Sequence, residues 1–389
     1  MAGERSRKAQ AIDDLAQLTP DLASLGWDDE LDRWAAEVES ASDGDGPAAF
    51  ESLRGRVARV SRGFSLVFTG GDAVLAASDS TRTRTDLVPA TGDYVIVQDS
   101  EADGPHVLDI APRSTALTRR APGRVPEPQV LAANVDSVFV MHGLDRPTNL
   151  RRIERQLAVG WASGATPVVV LTKSDQIADP EELQRTVDEV AAVAPGVATL
   201  AVSMVTGDGM DDVEARIPPG STVALMGLSG VGKSTLVNLL SGGQVQRTGE
   251  VRAADRRGRH TTVTRDLIPI PGRGHIIDTP GIREIGLWQA YDGLALAFPE
   301  IAEAAAQCRF ADCAHEAEPG CEVQDGLASG AIAERRLDHW RELTAELELQ
   351  ESQLEEFARR AESRDRADAN RRRDSERPNR RARRKGRRR

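Results

Sequence analysis

The pattern of apolar and polar positions changes character along the chain. From Arg54 the apolar residues come in short alternating runs, over 55–60, 64–68, 72–76 and 93–97, separated by glycines and polar turns. Alternation of this kind is the signature of half-buried strands, and several at close spacing predict a small β-barrel over 53–120. After a Pro-containing linker at 121–128 the runs become continuous, over 135–141, 167–171, 197–202 and 222–226, with helical stretches between them. Strands that are apolar throughout and alternate with helices predict a parallel sheet covered on both faces, an α/β domain over 129–293.

Beyond Leu294 the pattern is helical to about residue 362 and includes a long charged helix from about Ala331 to Arg360. On it Leu337, Trp340, Leu343 and Leu347 share one face, which suits packing against the neighbouring domain. The first 52 residues, rich in Asp, Glu, Ala and Gly, contain a short amphipathic stretch at 31–36 before a Gly/Asp/Pro break at 42–47 and are expected to be a loosely held extension. Residues 363–389 are expected to form an arginine-rich tail without fixed structure.

Charge and cysteine usage narrow the class. The formal charge of -11 hides an acidic body and a basic end at 371–389, so a polyanion such as RNA could be met locally by an acidic protein. The polar amino terminus leads into no signal-like apolar run, and no later stretch approaches membrane-span length, which points to the cytoplasm and to no membrane partner. All 3 cysteines fall within 308–321, which argues against a disulfide framework and leaves metal binding or free thiols.

The most informative segment is Gly227-Leu228-Ser229-Gly230-Val231-Gly232-Lys233-Ser234, between the apolar run 222–226 and the helical Thr235-Leu236-Val237-Asn238-Leu239-Leu240. In that setting G-x-x-x-x-G-K-S is a phosphate-binding loop. Its glycines let backbone N–H groups close on phosphate oxygens and the helix start adds its positive end. Lys233 supplies a point charge and the Ser234 hydroxyl a Mg²⁺ ligand.

Asp278-Thr279-Pro280-Gly281 follows the strand-like 274–277, where Asp278 can hold the Mg²⁺ shell and the Gly281 amide can reach a γ-phosphate. Between these elements the polar loop 258–264 offers Thr261 or Thr262 as a further Mg²⁺ ligand. Thr172-Lys173-Ser174-Asp175 follows another strand, at the carboxyl edge where open α/β sheets bind ligands. The Asp175 carboxylate can accept from guanine N1–H and N2–H₂, a donor pair adenine lacks. Ser203-Met204, after the next strand, would complete the base pocket through backbone N–H groups.

These motifs resemble the circularly permuted GTPases, and specifically the ribosome small-subunit-dependent GTPase A family, in which the base-reading motifs precede the phosphate loop. The order here is Thr172 to Asp175, Ser203, Gly227 to Ser234, Thr261 and Thr262, then Asp278 to Gly281. The resemblance spans about Arg54 to Leu349 and implies an OB-fold barrel, a permuted GTPase domain and a C-terminal helical zinc-binding domain. It also implies a monomer that binds GTP/GDP with Mg²⁺ and acts with the small ribosomal subunit and its rRNA. Two departures stand out. Thr172 replaces the family's asparagine and would lose the amide that braces the phosphate loop, and Met204 replaces a small alanine.

Ile282 stands where many GTPases carry a water-orienting glutamine and cannot hydrogen-bond water. The resemblance assigns that task to His260, brought into place when a partner orders its loop. Cys308, Cys313, His315 and Cys321 supply three thiolates and an imidazole, a closed tetrahedral Zn²⁺ set that the resemblance also implies. Arg113, Arg119, Arg120 and Arg124, near the end of the barrel, could contact phosphate or could be a solvated linker. Two other functions fit the sequence: an RNA-binding assembly module whose nucleotide is only a switch, and an ATPase, suggested by Thr172.

Overall fold

The computed structural model describes residues 15–42, 51–78, 83–99, 104–121, 128–243, 265–278, 287 and 290–376. Five strands, β1 (Glu51–Ser61), β2 (Phe64–Phe68), β3 (Ala73–Ala77), β4 (Tyr94–Asp99) and β5 (His106–Ile110), close into a barrel. β1 is long enough to pair with both β4, over 51–56, and β2, over 56–61, and the β2 pairing carries a register shift between Val57 and Arg59. Val57, Val67, Val95, Val97 and Val107 fill the interior. Short β5, bounded by Pro105 and Pro112, is a strand that the alternating pattern did not reveal.

The stretch read as a linker, of which 122–127 lie outside the described residues, is flanked by two paired strands. β6 (Ala116–Arg120) and β7 (Pro128–Ala133) pair antiparallel, and Leu117 and Leu131 are buried in the main core.

The second sheet contains β8 (Ser137–Gly143), β9 (Thr166–Thr172), β10 (Thr199–Val202), β11 (Thr222–Gly227), β12 (Asp266–Pro269) and β13 (His275–Asp278). Its spatial order is β10-β9-β8-β11-β13-β12, parallel except for β12. β12 pairs in turn with barrel strand β1, so the two sheets are continuous through Arg59 and Asp266.

Helices cover both faces. They are α1 (Asp29–Ser42), α2 (Leu150–Ala162), α3 (Pro180–Val193), α4 (Met210–Ala215), α5 (Lys233–Leu240), α6 (Tyr291–Ala297), α7 (Pro299–Ala305), α8 (Glu322–Ser329) and α9 (Glu334–Glu376). Asn149 caps α2 by accepting from the Arg152 amide, and Asp179 caps α3 ahead of Pro180.

The amino-terminal extension, expected to be loosely held, is docked over residues 15–42. Leu15, Leu25 and Ala35 are buried, and Arg54 of the barrel pairs with Asp32 and Glu39 of α1. Arg56 explains why the extension stays in place. Its fully buried guanidinium donates to Leu25 O of the extension, Gly92 O of the barrel and Asn134 O at the entry to the second sheet, and stacks on Tyr94. Burial among neutral carbonyls lowers its pKa, so the three acceptors are what make its position tenable.

The carboxyl-terminal helices attach through a second buried network. Arg336 of α9 pairs with Glu154 of α2 and with Glu300 of α7, donates to Val193 O and Ala297 O, and lies over Phe298. His339 meets the other oxygen of Glu154 at 2.6 Å. The expected apolar stripe on α9 is present, with Leu337, Leu343 and Leu347 buried, and the helix continues through Glu376, so residues 363–376 of the tail expected to lack fixed structure are helical.

Candidate functional site

The phosphate loop springs from the carboxyl end of β11, the central strand of the second sheet, and leads into α5. Gly230 (φ 84°) and Gly232 (φ 100°) hold left-handed backbone that side-chain-bearing residues rarely adopt, which frees the following amides to point at one place. A cavity of about 440 Å³ opens there, lined on one side by Ser229, Gly230, Gly232, Lys233, Ser234 and Thr235. Lys173, Asp175, Gln176, Met204 and Val205 line the other. The segments expected to read a base and to bind phosphate, far apart in sequence, therefore face one cavity.

The base side is tightly organised. Ser203, fully buried, donates to Asp175 Oδ1 at 2.6 Å and accepts from the amides of Val205 and Thr206. Gln176 Nε2 donates to Asp175 Oδ2 at 2.7 Å. The Ser203 bond first, then that of Gln176, holds the Asp175 carboxyl below the usual carboxylate range, so it is an ionised acceptor. Lys173 sits in the left-handed region at φ 62° and its ammonium meets Asp145 at 2.8 Å. That bond likewise lowers the Asp145 pKa.

The two departures from the family pattern have visible consequences. Thr172 does not leave the phosphate loop unbraced: its Oγ1 donates to Val231 O at 2.7 Å, with His142 O a second acceptor at 3.2 Å. The expectation of a lost brace is therefore corrected, because a hydroxyl replaces the amide. Met204 reaches over the loop, its terminal methyl so close to Gly232 that a Cβ there would lie 2.5 Å away.

Lys233 donates to the carbonyls of Gly227 and Leu228, at 2.7 and 2.9 Å. Asp278 ends β13, beside Leu225 of β11, and is almost wholly buried. Ser234 on the cavity wall and Asp278 at the neighbouring strand end are oxygen donors of the kind Mg²⁺ takes. His260, Thr261, Thr262, Gly281 and Ile282 lie outside the described residues.

A protein-family profile, RsgA GTPase, matches residues 110–288. A Streptomyces coelicolor protein named Small ribosomal subunit biogenesis GTPase RsgA is 46% identical over 84% of this chain and 86% of its own length. This chain belongs to the RsgA GTPase family. A Methanosarcina acetivorans protein of the same name is 38% identical, over 87% of this chain and 90% of its own. YjeQ from Thermotoga maritima shares the fold with a TM-score of 0.56 at 26% identity, across 76% of this chain and 99% of that one. YloQ, titled a circularly permuted GTPase, shares it with a TM-score of 0.56 at 23% identity, across 77% and 96%. The RsgA GTPase chain is thus a GTP hydrolase with permuted motif order, in which the base-reading strand β9 precedes the phosphate-loop strand β11.

The cysteine cluster of this RsgA family member is assembled between α7 and α8. Cys308, Cys313, His315 and Cys321 bring their ligand atoms within 4.8 Å of one another. Cys308 Sγ lies 3.9 Å from Cys321 Sγ, and His315 Nδ1 lies 3.5 and 3.6 Å from those sulfurs. A Zn²⁺ tetrahedron with bonds of about 2.3 Å to sulfur and about 2.0 Å to nitrogen has edges of about 3.5 to 3.8 Å, so the donor set fits a metal. Burial lowers the His315 pKa toward the neutral, ligating form. The His315 carbonyl accepts from Gln324 and Arg341, which ties the ligand loop to α8 and α9.

The barrel-end arginines have structural partners. Arg113 forks onto the buried carboxylate of Asp93, Arg119 meets Gln129 and Arg120 meets Gln353 of α9; Arg124 is outside the described residues. Asp145 and Gln176 were not singled out in the sequence. Their only signal there is a polar side chain near a strand's carboxyl end, which is too common to act on. No helix among the described residues is long and apolar enough to cross a membrane.

Proposed function

We propose that this protein hydrolyses GTP to GDP and phosphate during maturation of the small ribosomal subunit, in the cytoplasm and as a monomer, with turnover stimulated by that subunit. The observation that carries the reading is the single cavity in which ionised Asp175 faces the phosphate loop, in a chain whose relatives are named small ribosomal subunit biogenesis GTPases.

Asp175 accepts from guanine N1–H and N2–H₂, while Lys173 and Met204 border the base and ribose. Backbone amides from Ser229 to Thr235 and the Lys233 ammonium hold the β- and γ-phosphates. Ser234, Thr262 (or Thr261) and Asp278 hold the metal, and the Gly281 amide reaches the γ-phosphate. When bound there, Mg²⁺ would supply positive charge that offsets the charge developing on the phosphate oxygens. His260 orients the attacking water, since Ile282 cannot. Zn²⁺ held by Cys308, Cys313, His315 and Cys321 is structural, because four protein ligands leave no open position.

The domains serve this division of labour: 53–120 and the arginine-rich tail meet rRNA, 129–293 binds nucleotide, and 294–362 carries zinc. Co-sedimentation with purified small subunits tests the partner. Binding should be stronger with a non-hydrolysable GTP analogue than with GDP, and binding indifferent to nucleotide would contradict the reading. An ATPase is disfavoured by Asp175, since an adenine ring leaves that carboxylate without the donor pair it fits.

A further inference from the structure

Among the described residues one ion pair joins the barrel to the second sheet, and it lies beside the strand that ends at Asp278. Arg59 of β1 forks onto Asp266 of β12, with Nε to Oδ1 at 2.5 Å and Nη2 to Oδ2 at 2.7 Å. Both side chains are largely buried, at 7% and 14% exposure. The register places Arg59 opposite Asp266, and Asp266 opposite Asp278. Directly opposed residues of antiparallel strands share a face, with Cβ atoms about 4.5 to 5.5 Å apart. The flanking pairs agree with this alternation: Leu267 and Ile277 belong to one core, Ile268 and Ile276 to the core on the other face. Asp266 and Asp278 therefore stand side by side, two carboxylates where the proposed metal shell needs one.

We infer that Arg59 is a positioning residue for the magnesium side of the site. By taking both oxygens of Asp266, it keeps that carboxylate from competing with Asp278 for the metal and its water ligands. A bidentate guanidinium suits this task better than a point charge, because it fixes the carboxylate plane as well as neutralising it. Arg59 comes from the barrel and Asp266 from the strand paired with the one that ends at Asp278, so this pair ties the barrel to the metal side of the sheet. The Thr91 hydroxyl, donating to Arg265 O at 3.1 Å, gives the same junction a second barrel contact.

The inference rests on the GTPase reading and separates from it experimentally. Equilibrium binding of a fluorescent GDP analogue and steady-state GTP turnover, each across a Mg²⁺ titration, are compared for the wild type, Arg59→Met and the double variant Arg59→Met with Asp266→Asn, on full-length protein with thermal unfolding as a check. Arg59→Met releases a charged Asp266 that draws the metal off Asp278, and should lower kcat about tenfold with KM for GTP little changed, while lowering the Mg²⁺ concentration for half-maximal binding and rate, since a second carboxylate attracts the cation. Neutralising Asp266 in the same background should restore most of kcat, although the ion pair is still missing. A purely structural clamp would not be rescued in this way, so a double variant as impaired as the single one overturns the inference. If Arg59→Met does not fold, Arg59→Lys with and without Asp266→Asn gives the same comparison, because lysine keeps the charge but not the fork. Absence of Mg²⁺-dependent GTP turnover in the wild type would overturn the GTPase reading itself.

Discussion

The Thr172 hydroxyl donates to the Val231 carbonyl across 2.7 Å, joining the strand that carries the base-reading turn to the inside of the phosphate loop. Both halves of the nucleotide cavity thus share one buried hydrogen bond. Thr172→Val keeps the shape and removes the donor, leaving a buried carbonyl short of a partner at a cost of about 1 to 2 kcal/mol. The expected outcome is GDP binding weakened about 5- to 30-fold with ATP still rejected, because Asp175 is untouched. Titration with a fluorescent GDP analogue checks it; unchanged affinity would mean that the bond braces nothing.

The metal cluster should be a folding element. Protein purified without chelator is expected to carry one zinc per chain, and Cys321→Ser to lose it. Cys321 is buried and precedes α8, with Val323 packed in the main core, so loss of the metal should loosen the docking of α8 and α9. Elemental analysis combined with limited proteolysis reads both effects. Zinc-free wild type with unchanged protease resistance would contradict the expectation.

Arg336 compensates the buried Glu154 carboxylate where the carboxyl-terminal helices meet α2. Arg336→Met leaves that carboxylate with His339 as its remaining partner and removes the partner of Glu300, and should cost about 3 kcal/mol. Adding Glu154→Gln should recover part of the loss, since removing both charges is tolerated far better than removing one. Urea unfolding of the three proteins checks the order.

These junctions also mark the limit of what the amino-acid sequence reveals. Strands β8, β9 and β11 are legible because buried parallel strands are continuously apolar, and the phosphate loop because its glycines fall between such a strand and a helix. Arg56 looks like any surface arginine. Its three acceptors come from residues 25, 92 and 134, and no local pattern announces that they converge. The same holds for Arg59 and Asp266, 207 residues apart, and for the docked extension, whose few apolar residues signal burial only once the barrel offers them a surface. Thr172 was identifiable as a departure, but whether its hydroxyl could replace an amide depended on the distance to Val231.

His275 gives the fold an acid sensitivity. It is buried at the start of β13, both ring nitrogens lack hydrogen-bond partners among the described residues, and burial lowers its pKa from 6.5 to about 3. The folded-state pKa is the depressed one, so as pH falls the unfolded chain takes the proton first. Stability is retained above about pH 6.5 and lost toward pH 3, by up to about 1.4 kcal/mol per pH unit from this group. His275→Gln should flatten the pH dependence of unfolding free energy between pH 5 and 6.5 by about one proton. Parallel curves would assign the sensitivity elsewhere.

A guanine-specific hydrolase activated by its ribosomal partner should show both properties in one assay. GTP and ATP turnover are measured side by side, with and without purified small ribosomal subunits. The expected result is slow GTP turnover alone, turnover raised at least about tenfold by the subunit, and negligible ATP turnover in either condition. GTP turnover indifferent to the subunit, or ATP hydrolysed as readily as GTP, would contradict the account.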